Sequence, residues 1–194
     1  MLKLESVSKS FGEKTLFRDF SFSFNHPGIY ALKGKSGVGK TTMLRIICGL
    51  ETEYSGTVLG GGMENTAICF QEHRLFPWLN AKENVLKVSF KSQNEENEKQ
   101  TELLLKRLFL TDNDMTLLPS ELSGGMRQRV SFARAVLRKS PILLLDEATK
   151  EVDAEVANVM MEIIKEEAKN RIVIIITHKD EEISALNAEI ISLD

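Results

Sequence analysis

Two cysteines are all that this 194-residue sequence contains, Cys48 and Cys69, and both lie in apolar surroundings. They have no metal-ligand spacing, and a disulfide framework is not expected. A reducing, cytosolic compartment is the simpler reading. Positive charge is also short: 25 Lys and Arg against 28 Asp and Glu leave a net charge of −3. That gives no global basic signature for nucleic acid, although a local patch is compatible with it. The first residues, MLKLESVSKSFGEK, hold no apolar core of a leader, so no secretory signal is expected. The most apolar runs, such as Ile172 to Ile176, fall far below the roughly 20 residues that cross a bilayer. If the protein works at a membrane, another chain must supply the span. There is no internal repeat, and the one biased tract is the polar segment 91–101.

What is present is an ordinary soluble composition, 42% apolar and 27% charged. The length fits one domain, with or without an inserted lobe. LKLESV (2–7) and FRDFSFSFN (17–25) alternate as half-buried strands do, and GIYALK (28–33) reads as a strand buried on both faces. From Thr41 the period changes: Met43, Leu44, Ile46, Ile47 and Leu50 share one helical face. Two short strands are expected within 54–70, around Gly60-Gly61-Gly62, and a helical stretch over 101–110. A helical lobe over 74–122 is expected as an insertion in a single domain, 1–194. Pro141 opens a buried strand, ILLL, that closes on Asp146-Glu147. Val156, Val159, Met160, Ile163 and Ile164 mark a helix whose stripe is core packing, and a strand over 171–177 leads to His178. Strands alternating with helices imply a mostly parallel sheet with helices on its faces.

The chemistry gathers at strand ends. GKSGVGKTT (34–42) joins a buried strand to a helix start, the context that a phosphate-cradling loop requires. Its glycines let backbone N–H groups turn inward, and the helix adds its positive end. Lys40 would reach the β- and γ-phosphates, and the Thr41 hydroxyl would ligate Mg²⁺. The bland alternative is a chance glycine turn. Asp146 and Glu147 follow a buried strand whose C-terminal end belongs at the ligand crevice. There Asp146 could hold Mg²⁺ through a water and Glu147 could activate an attacking water; alone, the two are an ordinary acidic pair. His178 and Gln71 also end apolar strands, His178 within reach of a γ-phosphate and Gln71 able to ligate the metal or position water. LSGGMRQR (122–129) sets a serine and two glycines before a helix starting near Met126. Ser123 could simply cap that helix. The same N–H groups form a second anion-binding arrangement, which a second copy of the chain could use.

Taken together, GKSGVGKTT, Gln71, LSGGM, ILLLDE and His178 resemble, in order and spacing, the ATP-binding-cassette (ABC) ATPases over essentially the whole chain. The resemblance implies an α/β fold: a P-loop NTPase, RecA-like, with a mostly parallel sheet flanked by helices, an N-terminal antiparallel β-subdomain and an inserted helical subdomain. It implies ATP and Mg²⁺ as ligands. Gly34, Lys35, Ser36, Gly37, Val38, Gly39, Lys40, Thr41 and Thr42 would hold the phosphates, and Phe11 would stack on adenine. Thr41, Gln71 and Asp146 would serve the metal. Glu147 would be the catalytic base and His178 the switch histidine, with Gln71 and Lys40 assisting. Ser123, Gly124 and Gly125 would bind the γ-phosphate held by the opposite copy, so that a homodimer encloses two nucleotides.

The sequence departs from the family pattern at Met126, where glutamine is usual, at Lys150 and Glu151 in ATKEVD, and at Phe11, which lacks a tyrosine hydroxyl. Stacking is fairly indifferent to the base, so selectivity for ATP over GTP is expected to be loose. FQEHRLFPWLNAKENV (70–85) is similar to the segment after the Q-loop in importers of nitrate, sulfonates and taurine. The resemblance places transmembrane permease subunits against Glu72–Asn80, with Leu75, Phe76 and Trp78 as an exposed patch; the alternative is that these pack inside the helical lobe. It implies an energy-coupling subunit for solute transport, import by preference. Such a subunit is cytoplasmic, peripheral at the inner face of the membrane and touches the bilayer only indirectly. No nucleic-acid partner is expected. The rival is a soluble, non-transport cassette protein acting on nucleic acid or a protein complex; a binding module with little turnover is a further alternative.

Overall fold

The structure, a computed structural model, describes residues 1–90 and 94–193. The first three residues of the polar segment 91–101 therefore lie outside the described residues. The chain divides into two compact units.

The first unit comprises Met1–Ile68, Ser140–Asp146 and the chain from Ile164 onward. Strands β1 (Leu2–Phe11), β2 (Lys14–Phe24) and β4 (Ser55–Leu59) form an antiparallel sheet in the order β2-β1-β4. A second sheet has the order β5-β6-β7-β3-β8, from β5 (Thr66–Cys69), β6 (Ile142–Asp146), β7 (Ile172–Ile176), β3 (Gly28–Lys33) and β8 (Glu189–Ser192). In it β3 pairs in parallel with β7 and with β8, and β6 pairs in parallel with β7. The mostly parallel sheet with an added antiparallel sheet is the fold expected from the sequence. Helix α1 (Lys40–Ile47) turns Met43, Leu44, Ile46 and Ile47 into a core shared with Leu2, Leu4, Tyr30, Leu144 and Ile174. Phe24 packs edge-on against Phe22 and Tyr30, at 4.8 and 4.9 Å between ring centres. Cutting one of these fully buried aliphatic chains back to alanine costs about 2–5 kcal/mol.

Several boundaries differ from the sequence reading. The first two strands are longer and form one hairpin, since β2 starts at Lys14 and Phe11 faces Lys14 across the turn. The strands around the 60–62 glycine turn belong to different sheets, so that turn hands the chain from one sheet to the other. A short helix α6 (Asp180–Ala185) and edge strand β8 follow β7 and were not expected.

The second unit comprises Cys69–Lys139 and Glu147–Ile163, and it contains the whole 74–122 stretch. Helices α2 (Ala81–Ser89), α3 (Glu95–Arg107) and α4 (Gly124–Leu137) pack on one another, with a 3₁₀ turn at Asp114–Thr116. Helix α5 (Ala154–Glu167) begins in this unit. Asn80 caps α2 in a two-way box: its side chain accepts from the Glu83 N–H at 2.8 Å, and its own N–H donates to Glu83 at 3.1 Å. Helix α3 starts at Glu95, ahead of the expected 101, because Asn94 caps it and Glu95, Glu96 and Glu98 suit the positive end of a helix.

Candidate functional site

In the first unit, the C-terminal ends of β3, β6 and β7 lie side by side, because the three strands are parallel neighbours. Asp146 pairs with Ile176, so the Asp146 end of β6 and His178, two residues past Ile176, share one sheet edge with the loop after Lys33. In that loop Gly34, Gly37 and Gly39 have φ of 152°, 78° and 108°. A Cβ on Gly39 would lie 3.0 Å from Leu16 and from Phe17, so both backbone angle and space require glycine there.

Lys40 is 8% exposed and curls back over the loop, donating to the carbonyls of Gly34 at 2.7 Å and Lys35 at 3.0 Å. These acceptors take two of the three ammonium hydrogens, and the third suits a phosphate oxygen. The Thr41 hydroxyl donates to the buried Asp146 carboxylate at 2.8 Å. Two neighbouring ligands of an octahedral Mg²⁺ with bonds of ~2.1 Å lie about 3 Å apart. A hydroxyl and a carboxylate oxygen at 2.8 Å thus fit that ion in both spacing and chemistry. Mg²⁺ is commonly held by one or two carboxylates together with phosphate oxygens and waters.

His178 is exposed in the loop between β7 and α6. Its neighbours are fixed by Glu182, which accepts from the Thr177 hydroxyl at 2.7 Å and pairs with Lys179 at 3.0 Å. Phe11 is 51% exposed at the end of β1. Its cross-strand partner Lys14 carries its ammonium to within 3.9 Å of the place a Gly37 Cβ would occupy. Lys35, Ser36 and Thr41 are exposed, and Val38 and Thr42 half-buried.

The remaining candidates belong to the second unit. Glu147 adopts φ 50°, a left-handed turn residue directly after β6, and its carbonyl accepts from the Lys150 N–H at 3.1 Å. The Glu147 carboxylate is 12% exposed and pairs with the Lys150 ammonium at 2.6 Å. Gln71 is exposed. Ser123 caps α4 by accepting from the Met126 N–H at 3.2 Å, so the helix starts at Gly124 and not near Met126. The turn at 147–151 is seated against this helix start. Buried Gln128 donates to the Ala148 carbonyl at 2.8 Å. A Cβ on Gly124 would meet the Glu151 carboxylate at 2.7 Å, and one on Gly125 would meet the Glu151 backbone oxygen at 2.8 Å. Glu151 also reaches His73 at 3.4 Å, while burial pushes the His73 imidazole below its ordinary pKa.

Phe76 and Trp78 stand exposed with ring centres 5.4 Å apart, and Leu75 is half-buried. Their loop is held from beneath by two polar residues that sequence reasoning missed. Asn84, fully buried, accepts from the Phe76 N–H and donates to the carbonyls of Phe76, Leu79 and Asn80. Arg134, 9% exposed, donates to the carbonyls of His73 and Arg74 at 2.9 Å each. Burial lowers the Arg134 pKa from its ordinary value. The only trace of Arg134 in the sequence is a cation inside the apolar run FARAVL.

A family model described as ABC transporter matches residues 17–150. Curated relatives include a spermidine/putrescine import ATP-binding protein, PotA, of Pasteurella multocida, 32% identical over all of this chain. This chain spans 55% of that relative's length. The aliphatic sulfonates import ATP-binding protein SsuB of Bacillus cereus is 34% identical over 98% of this chain and 80% of its own. SsuB of Corynebacterium glutamicum is 36% identical over 98% and 79%. Among solved structures, the ATP-binding cassette MJ0796, dimeric in a post-hydrolysis state with ADP and Pi, superposes with a TM-score of 0.86 at 28% identity. That match covers all of this chain and 94% of the other.

Proposed function

The chain belongs to the ABC transporter family, and from that premise we propose that it is an ATP-binding, ATP-hydrolysing subunit that powers solute import through separate membrane subunits. The observation that carries the reading is the Thr41–Asp146 pair at 2.8 Å beside a loop closed over by Lys40. It supports a site for a nucleoside triphosphate with Mg²⁺. Lys40 and the N–H groups of residues 34–42 hold the phosphates, and Phe11 receives the base. Thr41 and Asp146, with Gln71, serve the Mg²⁺, which when bound screens the phosphate charge. Glu147 takes a proton from the attacking water, and His178 faces the γ-phosphate. Ser123, Gly124 and Gly125 close on the nucleotide of a second copy, a role in line with the dimeric state of MJ0796.

Glu72–Asn80 is the surface for the membrane subunits. Paired, exposed aromatic rings on a loop pinned by Asn84 and Arg134 are the kind of rigid apolar patch that a partner buries. Among the described residues no helix is long and apolar enough to cross a membrane. The likeness to import ATP-binding proteins supports a place at the cytoplasmic face, held there by membrane partners. The importer names of both sets of relatives favour transport over a soluble cassette acting on nucleic acid or a protein complex.

Glu147→Gln tests the reading. Loss of a general base costs roughly 10²–10⁴-fold in turnover, so hydrolysis should fall by at least about 10²-fold while ATP binding persists and light scattering detects a dimer. Hydrolysis at the parental rate, or ATP-saturated monomers at high protein concentration, would defeat it.

A further inference from the structure

Lys9 lies two residues before Phe11 in β1, with its side chain only 2% exposed. Its ammonium sits 4.4 Å from the centre of the Phe11 ring. The ammonium is not left to wander: it pairs with the Glu51 carboxylate at 3.0 Å and also donates to the Glu53 carbonyl. Glu51 is itself held, accepting from the Glu53 N–H at 3.2 Å. One side of the Phe11 ring is therefore backed by a fixed, buried cation, while 51% of the residue remains open to solvent. Phe11 faces Lys14 across the hairpin, and Lys14 reaches toward Gly37, so the ring stands at the end of the hairpin that overlies the phosphate loop.

Cations are attracted to a ring face by its negative quadrupole. A ring polarised from one side presents an electron-poor opposite face, and that face stacks better on an electron-rich base. We infer that Lys9 is a positioning residue for the nucleotide base: Lys9, Phe11 and a purine form a three-layer stack, in which the buried ammonium both fixes the ring and biases it toward purine nucleotides. This inference rests on the reading of Phe11 as the base platform. It gives a phenylalanine without a hydroxyl a preference for purines over pyrimidines, while leaving the expected loose choice between ATP and GTP as it stands.

The test is calorimetric binding of MgATP, MgCTP and Mg-tripolyphosphate to the full chain. Lys9→Met should weaken MgATP binding by about 2- to 5-fold, no more than a cation–π contact at an exposed ring is worth, and narrow the preference for MgATP over MgCTP. Tripolyphosphate binding should not change. Lys9→Arg should retain the parental preference. Phe11→Ala should remove the advantage of MgATP over tripolyphosphate, and Lys9→Met should add nothing in that background. Because removing the cation leaves the half-buried Glu51 carboxylate without its ion-pair partner, the double variant Lys9→Met, Glu51→Gln serves as the second form, with the same expected readings. Equal weakening of MgATP and tripolyphosphate, or a Lys9→Met protein with parental base preference while Phe11→Ala loses it, overturns the role of Lys9 alone. A Phe11→Ala protein that keeps the full advantage of MgATP overturns the base platform itself.

Discussion

Alanine at Gly124 and at Gly125 should have opposite consequences, although the two glycines are neighbours in the first turn of α4. Neither has a positive φ, so alanine fits the backbone at both. In each case it removes flexibility from the unfolded chain, a gain of about 0.4–1 kcal/mol. The cost differs because the contacted atoms differ. At 124 the new Cβ meets Glu151 Oε2 at 2.7 Å, the far end of a side chain that is 45% exposed and can swing away. What is lost is the contact to His73, whose lowered pKa leaves the pair weakly ionic at neutral pH; such a pair, with its carboxylate half in solvent, is worth about 0–1 kcal/mol. Gain and loss nearly cancel. At 125 the Cβ meets the Glu151 backbone oxygen at 2.8 Å, in a turn already tied down by Gln128 to the Ala148 carbonyl. Here the turn or the helix must move, and overpacking costs about 1–3 kcal/mol. The net loss is about 1–2 kcal/mol, or roughly 2–8 °C in Tm for a chain of this size. Scanning calorimetry of the two variants in the absence of nucleotide measures this directly. A Gly125→Ala protein as stable as the parent, or less affected than Gly124→Ala, would refute the argument that the chain's own 147–151 turn demands a glycine there. Both glycines would then answer only to a ligand.

Three further outcomes are expected. Asn84→Ala removes the side-chain partner of four backbone groups of the 76–80 loop, of which the Phe76 and Asn80 carbonyls keep a backbone N–H and the Phe76 N–H and Leu79 carbonyl do not; it should cost about 2–4 kcal/mol in urea denaturation and speed tryptic cleavage after Arg74, and unchanged cleavage would count against the loop being pinned. Lys150→Ser releases the Glu147 carboxylate from an exposed partner at 2.6 Å. If Glu147 is the base, kcat should rise by about 2- to 5-fold, the worth of an exposed ion pair, with KM unchanged; a fall in kcat would mean that Lys150 aims the base. The Asp114 carboxyl is held below the ordinary carboxylate range by the Thr111 N–H and then by its hydroxyl, and Glu83 by the Asn80 N–H. Their folded values are lowered, so their stabilisation is complete above about pH 4 and is lost as pH falls through those lowered values. Asp114→Asn should accordingly flatten the acid end of a Tm-against-pH curve, and a parallel curve would exclude Asp114 as a contributor.

The parts of the fold that could be read from residues alone are those where local pattern and tertiary demand agree. GIYALK, ILLLD and IVIII are apolar enough that only a doubly covered strand accommodates them, and each leads straight into its candidate residue. Strand β8 and helix α6 are different. Six helical and four strand residues carry little intrinsic preference, and β8 exists because β3 offers it an edge to pair with. Nor does polarity reveal Asn84 or Arg134, since a buried polar side chain looks in sequence like a solvated one until its backbone partners are known.

Lys9 shows the most specific reason for such a miss. Strict alternation from Leu2 and Leu4 would carry the inward face to residues 6 and 8 and put Lys9 in water. Ser6, at φ 48°, instead sits at a register irregularity between Leu4 and Val7. One extra residue there reverses the phase, as a β-bulge does, so Val7 and Lys9 become the buried positions and Ser8 does not. The consequence reaches the candidate site. Without the bulge, the cation would be turned away from Glu51, and no buried charge would stand behind Phe11. A local defect in the pairing of β1 thus decides what lies beneath the proposed base platform, and no count of apolar residues along LKLESVSKSF contains that information.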